Sequence, residues 1–164
     1  MRALIVYESL WGNTEQIARA IAEALQADMT VEVVDAETAP ESVADYDLVI
    51  VGGPTHAFSM SRPVTRQGAV DQQHAPKLVT KGIREWLDAL QPVTNAIPAL
   101  AFDTRLDSPR LPGSAAKAAR HELRSHGFHV PVKAETFRVH AAEGPLLDGE
   151  LARAVAWARA SVAA

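Results

Sequence analysis

The chain has 164 residues, 48% apolar and 22% charged, enough to bury a sizeable core within one domain. A net charge of −4 argues against a nucleic-acid surface, and the lack of cysteine excludes disulfides and thiolate metal sites. No apolar run reaches the ~20 residues of a membrane span, and the chain opens on a strand pattern rather than a charged-then-apolar leader, so a cytoplasmic location is expected.

Residues 3–7, ALIVY, form a continuous apolar strand. They run into Glu8-Ser9-Leu10-Trp11-Gly12-Asn13-Thr14, and a helical pattern begins at once. Ile17, Ile21 and Leu25 recur at helical spacing opposite Glu15, Arg19 and Glu23, so residues 14–26 read as an amphipathic helix. Residues 30–34 alternate as a strand, and residues 48–51 form an aliphatic strand ending in Gly52-Gly53-Pro54. Residues 83–90 read as a short helix and 97–102 as the fourth strand. Ser114 caps a helix to about 125, residues 129–132 and 136–139 read as one interrupted strand, and Leu151, Val155, Ala158 and Val162 mark a last helix. Continuous aliphatic strands alternating with helices imply a parallel sheet covered on both faces.

The turn after the first strand has phosphate-binding chemistry. It stands at a helix N-terminus, where unpaired N–H groups and the positive end of the helix dipole favour an anion. It offers Ser9, Asn13 and Thr14 but no Lys or Arg, which argues against nucleoside triphosphate chemistry. The Walker lysine is missing, and so are two of the three glycines of the dinucleotide fingerprint.

Residues 5–21, IVYESLWGNTEQIARAI, resemble the flavodoxin signature. The matches are the aliphatic pair with Tyr7, the hydroxyls of Ser9 and Thr14, the small Gly12 and Ala18, and Ile21. The resemblance spans the chain and implies a single flavodoxin-like domain over 1–164. Its fold would be α/β, three layers deep, with a doubly wound five-stranded parallel sheet in the order 2-1-3-4-5. Flavodoxin is itself the standard illustration of that order, with flavin mononucleotide (FMN) at the switch point between the first and third strands.

The same resemblance implies that three loops hold the cofactor. After the first strand these are Ser9, Leu10, Trp11, Gly12, Asn13 and Thr14; after the third, Pro54, Thr55, His56, Ala57 and Phe58; after the fourth, Asp103, Thr104 and Arg105. Either His56 or Phe58 would face the isoalloxazine ring. Trp11 departs from the small hydroxyl residue common at its place. No aromatic residue occurs between Asp103 and Gly127, where flavodoxins often have a stacked tyrosine, and Arg105 brings positive charge instead.

Residues 59–82 read as a long loop insertion with five basic or histidine side chains and one acid, Asp71. It is either a basic flap for an anionic substrate or acidic partner, or a solvated excursion. The remaining histidines cluster with no acids, so no metal site and no catalytic residues are assigned. Asp35 reads as a strand-end cap. The resulting expectation is an FMN-binding electron-transfer protein whose partner is a redox protein or a quinone-like small molecule. The alternatives are an FMN-dependent NAD(P)H:quinone or protoporphyrinogen-type oxidoreductase, and a flavodoxin-fold module that has lost its flavin.

Overall fold

The strands take the order that continuous apolar runs separated by helices demand. In a computed structural model, which describes residues 1–164, they are β1 (Arg2–Tyr7), β2 (Thr30–Asp35), β3 (Leu48–His56), β4 (Ser59–Met60), β5 (Ala99–Leu106) and β6 (Glu135–Val139). The helices are α1 (Asn13–Leu25), α2 (Pro63–Gln73), α3 (Ile83–Ala89), α4 (Ala115–Ser125) and α5 (Glu150–Ala163). The parallel path runs β2-β1-β3-β5-β6, the doubly wound order expected from the sequence. The short β4 is additional and pairs antiparallel with the end of β3.

Alternation along each strand divides the core between the two faces of the sheet. Leu4, Val6, Val49 and Val51 pack with Trp86, Leu87, Ala119 and Leu123 of α3 and α4. Ala3, Ile5, Leu48 and Ile50 pack with Ile17 and Ile21 of α1 and with Ala154 and Ala158 of α5. On that second face Phe102, Phe137 and Trp157 meet edge to face, with centroids 5.9–6.3 Å apart. Gly52 is required by close approach, because a Cβ there would lie 2.0 Å from the Phe102 ring. No helix is long and apolar enough to cross a membrane.

Several boundaries differ from the sequence reading. Residues 59–82 are not one long loop: they contain β4 and the three-turn α2. That helix buries only Arg66 and Ala69, so it lacks the apolar stripe that periodicity detects. Pro54, Thr55 and His56 lie in β3 rather than after it, and Asp103, Thr104 and Arg105 lie in β5. Both strands run long because they pair, Gly53 with Asp103 and Pro54 with Thr104, beyond the aliphatic core. Residues 129–132 do not join β6; His129 makes only an isolated bridge to Pro98.

Candidate functional site at the carboxyl ends of the strands

A cavity of about 440 Å³ opens where β1, β3 and β5 end. This is the switch point of the sheet, where the crossovers from β1 and from β3 leave for opposite faces. Its floor is the turn from β1 into α1. Gly12 caps α1 with φ +100°, and its N–H donates to Ser9 Oγ at 3.0 Å. That bond folds the turn tightly and leaves the amides of Leu10, Trp11, Asn13 and Thr14 with no acceptor in the fold. Helix starts leave such donors by construction. Asn13 lies against the backbone of Gly144, where an added Cβ would come within 2.5 Å of its Oδ1. Thr14 is buried and shares a 2.7 Å hydroxyl–hydroxyl hydrogen bond with Thr104 on β5.

One wall consists of Pro54, Thr55, His56 and Ala57. His56 Nδ1 is hydrogen-bonded to Thr65 Oγ1 on α2 at 3.1 Å. Burial, helped by the positive charge of Arg66, lowers the imidazole to about 4, so it is neutral near pH 7. The adjoining wall is α2, through Val64, Thr65, Gly68, Ala69, Gln72 and Gln73. Thr104, Arg105 and Leu106 of β5 complete the lining, with Val139 and Ala142. No carboxylate stands among the twenty lining residues, and Arg105 is their one guanidinium.

Two residues singled out in the sequence stand apart from the lining. Phe58 is 56% exposed, with φ +71°, and its backbone lies against Gly113 rather than in the cavity. Asp103 is fully buried and accepts from Thr55 Oγ1 at 3.0 Å, Ser114 Oγ at 2.5 Å and the Ala116 N–H at 3.1 Å. All three use Oδ2, while Oδ1 meets no donor. The carboxylate thus ties β3 and β5 to the N-terminus of α4, whose dipole favours it. Arg105 pairs with neither Asp103 nor Asp107; its guanidinium donates to the carbonyls of Leu111 and Gly113.

Sequence reasoning missed the network that fixes α2. Arg66 is fully buried. It donates to the carbonyl of Val79 and to Ser61 Oγ, both at 2.9 Å, and pairs with Glu85 at 2.7 Å. Ser61 Oγ in turn donates to Glu8 Oε2 at 2.5 Å, and the Ile83 N–H donates to Oε1 at 2.9 Å. Burial pushes the Glu8 carboxyl up, against the pull of those two donors and of Arg66. Leu10 and the half-buried Trp11 pack with Ala69, Ala75 and Val79 beneath α2. The unusual Trp11 and the inserted helix therefore account for each other. Glu8 beside Ser9 in the first loop was the one available signal, but its partners lie 53 and 75 residues away.

The flavodoxin domain family profile matches residues 4–66, the stretch from β1 into α2. The fold is flavodoxin-like. Among solved structures, oxidised flavodoxin 1 from Bacillus cereus superposes with a TM-score of 0.71 at 18% identity, covering 99% of this chain and 98% of that one. The flavodoxin of Streptococcus pneumoniae TIGR4 gives 0.71 at 18%, covering 99% of both chains. Two-electron reduced Megasphaera elsdenii flavodoxin gives 0.59 at 20%, again covering 99% of both. Identities this low establish the shared fold and nothing finer. No curated protein matches it in sequence.

Proposed function

We propose that the cavity binds FMN noncovalently and that the protein transfers electrons. The observation that carries this reading is the floor of the cavity. A lysine-free turn there presents several unpartnered amides and the Ser9 hydroxyl at the start of α1. That donor set fits a phosphate held as an anchor, and a cavity of this size suits a cofactor-sized ligand. Ser9, Asn13 and the amides of Leu10, Trp11, Asn13 and Thr14 would hold the phosphate. Pro54, Thr55, His56 and Ala57 would border the ring from one side, and Thr104 and Arg105 from another.

When bound, the flavin supplies the redox chemistry. The residues of the chain bind, orient and exclude water. His56 offers a neutral imidazole whose orientation Thr65 sets. The wall formed by α2 shields one side of the cavity. The test is a titration of the flavin-free protein with FMN, followed by quenching of flavin fluorescence. Saturable quenching at one FMN per chain is expected; none would remove the redox reading.

One observation favours a second reading, an FMN-dependent quinone-type oxidoreductase. The β5–α4 segment carries no aromatic side chain to cover the ring. Oxidation of NADH or NADPH with a quinone present would support it, and its absence with functional FMN would leave the carrier reading.

A further inference from the structure

Beside the cavity mouth, the sheet places like charges together. Arg105 on β5 and Arg138 on β6 are direct register partners and share one face of the sheet. Like charges directly opposite are destabilising. Arg110, in the loop after β5, adds a third guanidinium. Arg138 is lowered by burial first, and then by the positive charges of Arg105 and Arg110. Asp107 and Asp103 are the acids nearest the guanidiniums. Asp107 pairs with Arg110 at 3.0 Å, and Asp103 points its bonded oxygen towards α4. A third acid, Glu150, accepts from the Arg138 N–H at 2.6 Å but is paired with Arg153 at 2.9 Å. With that pair set aside, three guanidiniums stand against Asp103 and Asp107, a local positive excess on a chain of net charge −4.

The fold does not use up these groups. A guanidinium has about five N–H donors. Arg105 spends bonds on the carbonyls of Leu111 and Gly113, Arg138 on that of Leu106, and Arg110 on Asp107. Exposed apolar side chains stand alongside. Leu111 is 51% exposed on the same loop as Arg110, Val64 is 74% exposed on the α2 wall, and Leu106 lines the cavity from the other face of β5. Planar guanidinium forks match carboxylate, sulfonate and phosphate oxygens, and apolar side chains match a ring.

We propose that the cavity mouth binds a partner molecule that joins an apolar ring system to an anionic group. The anion would sit on the Arg105–Arg110–Arg138 cluster and the ring against Leu111. This rests on the FMN reading for its redox meaning, since it names the class of molecule that would meet the cofactor. The arginines bind and orient; they gain and lose no electrons.

The experiment measures binding of naphthalene-2-sulfonate, 2-naphthol and inorganic phosphate to the FMN-loaded protein by calorimetry. The sulfonate is expected to bind about 10-fold tighter than the neutral naphthol, the scale of a charge-assisted pair. Phosphate alone should bind more weakly than the sulfonate, because it lacks the ring. Raising salt from about 50 mM to about 500 mM should weaken the sulfonate and spare the naphthol. Arg110→Ala, a change at an exposed loop position, should remove most of the sulfonate preference and leave FMN affinity unchanged. Arg138→Lys should remove part of it, since charge stays and the fork goes. Equal affinity for sulfonate and naphthol, or a preference that survives both substitutions, overturns the proposal. Phosphate binding as tightly as the sulfonate overturns its apolar half. Normal FMN quenching without sulfonate preference sinks this proposal alone, whereas sulfonate preference in a protein that takes up no FMN sinks the redox reading and leaves the anion site.

Discussion

At the residue scale, the turn from β1 into α1 depends on one backbone conformation. Gly12 adopts φ +100°, and a Cβ there would meet nothing within 4 Å. Gly12→Ala therefore costs conformational energy without a clash, about 1–2 kcal/mol. It is expected to lower the unfolding midpoint and also to weaken FMN, because the amides of residues 10–14 would be re-aimed. Chemical denaturation and FMN titration of the variant check both effects. His56 gives a pH prediction with a definite sign. Its folded value of about 4 lies below the ordinary 6.5, so the fold prefers the neutral ring. The stability this contributes is fully present above pH 6.5 and is lost as pH falls towards 4. Because the ring is partly open to water, the loss should be about 1–3 kcal/mol. Stability curves of wild type and His56→Gln should separate above pH 6.5 and converge on acidification. Parallel curves would show that His56 is not shifted.

At the element scale, α2 is held by polar contacts more than by a hydrophobic stripe. A buried guanidinium with a carboxylate partner and backbone acceptors is costly to disrupt from one side. Arg66→Ala leaves the buried Ser61–Glu8 pair without its cation and is expected to destabilise by about 3–5 kcal/mol. The damage should concentrate in residues 61–82, which hydrogen exchange by mass spectrometry would show as lost protection there while β1 and β3 stay protected. Uniform loss across the sheet would instead make the network part of the global core. The sequence shows Arg66 only as one of several cations in a polar stretch. Arginine is rarely buried, so composition reads it as solvated, and only the partners at Val79 and Glu85 reveal its place.

At the scale of the whole molecule, the cavity joins elements from distant parts of the chain. β1, β3, β5 and α2 must all be in place before it exists, so a ligand that fills it binds the folded state alone. FMN at about 100 times its dissociation constant should raise stability by about 2.7 kcal/mol, an increase in Tm of several degrees. Differential scanning fluorimetry with and without FMN checks this; riboflavin, which lacks the phosphate, should give a smaller rise. An equal rise with riboflavin would place no weight on the phosphate turn.

The sheet order and the turn after β1 could be read from the sequence because both are local patterns. Aliphatic runs such as residues 3–7 and 48–51 specify buried parallel strands by hydrophobicity alone. The Ser9–Thr14 turn specifies its chemistry through side chains adjacent in the chain. The rest depends on contacts between residues far apart. Thr14 meets Thr104 across 90 residues, and Glu8 meets the Ile83 amide across 75. Arg105 meets Arg138 only because two strands pair in one register. A polar helix such as α2 carries no periodic signal of its own, so its role as a cavity wall was decided by burial of Arg66 and by the packing of Trp11 and Leu10 beneath it. Periodicity reports which face of an element is buried; it is silent on what that face meets.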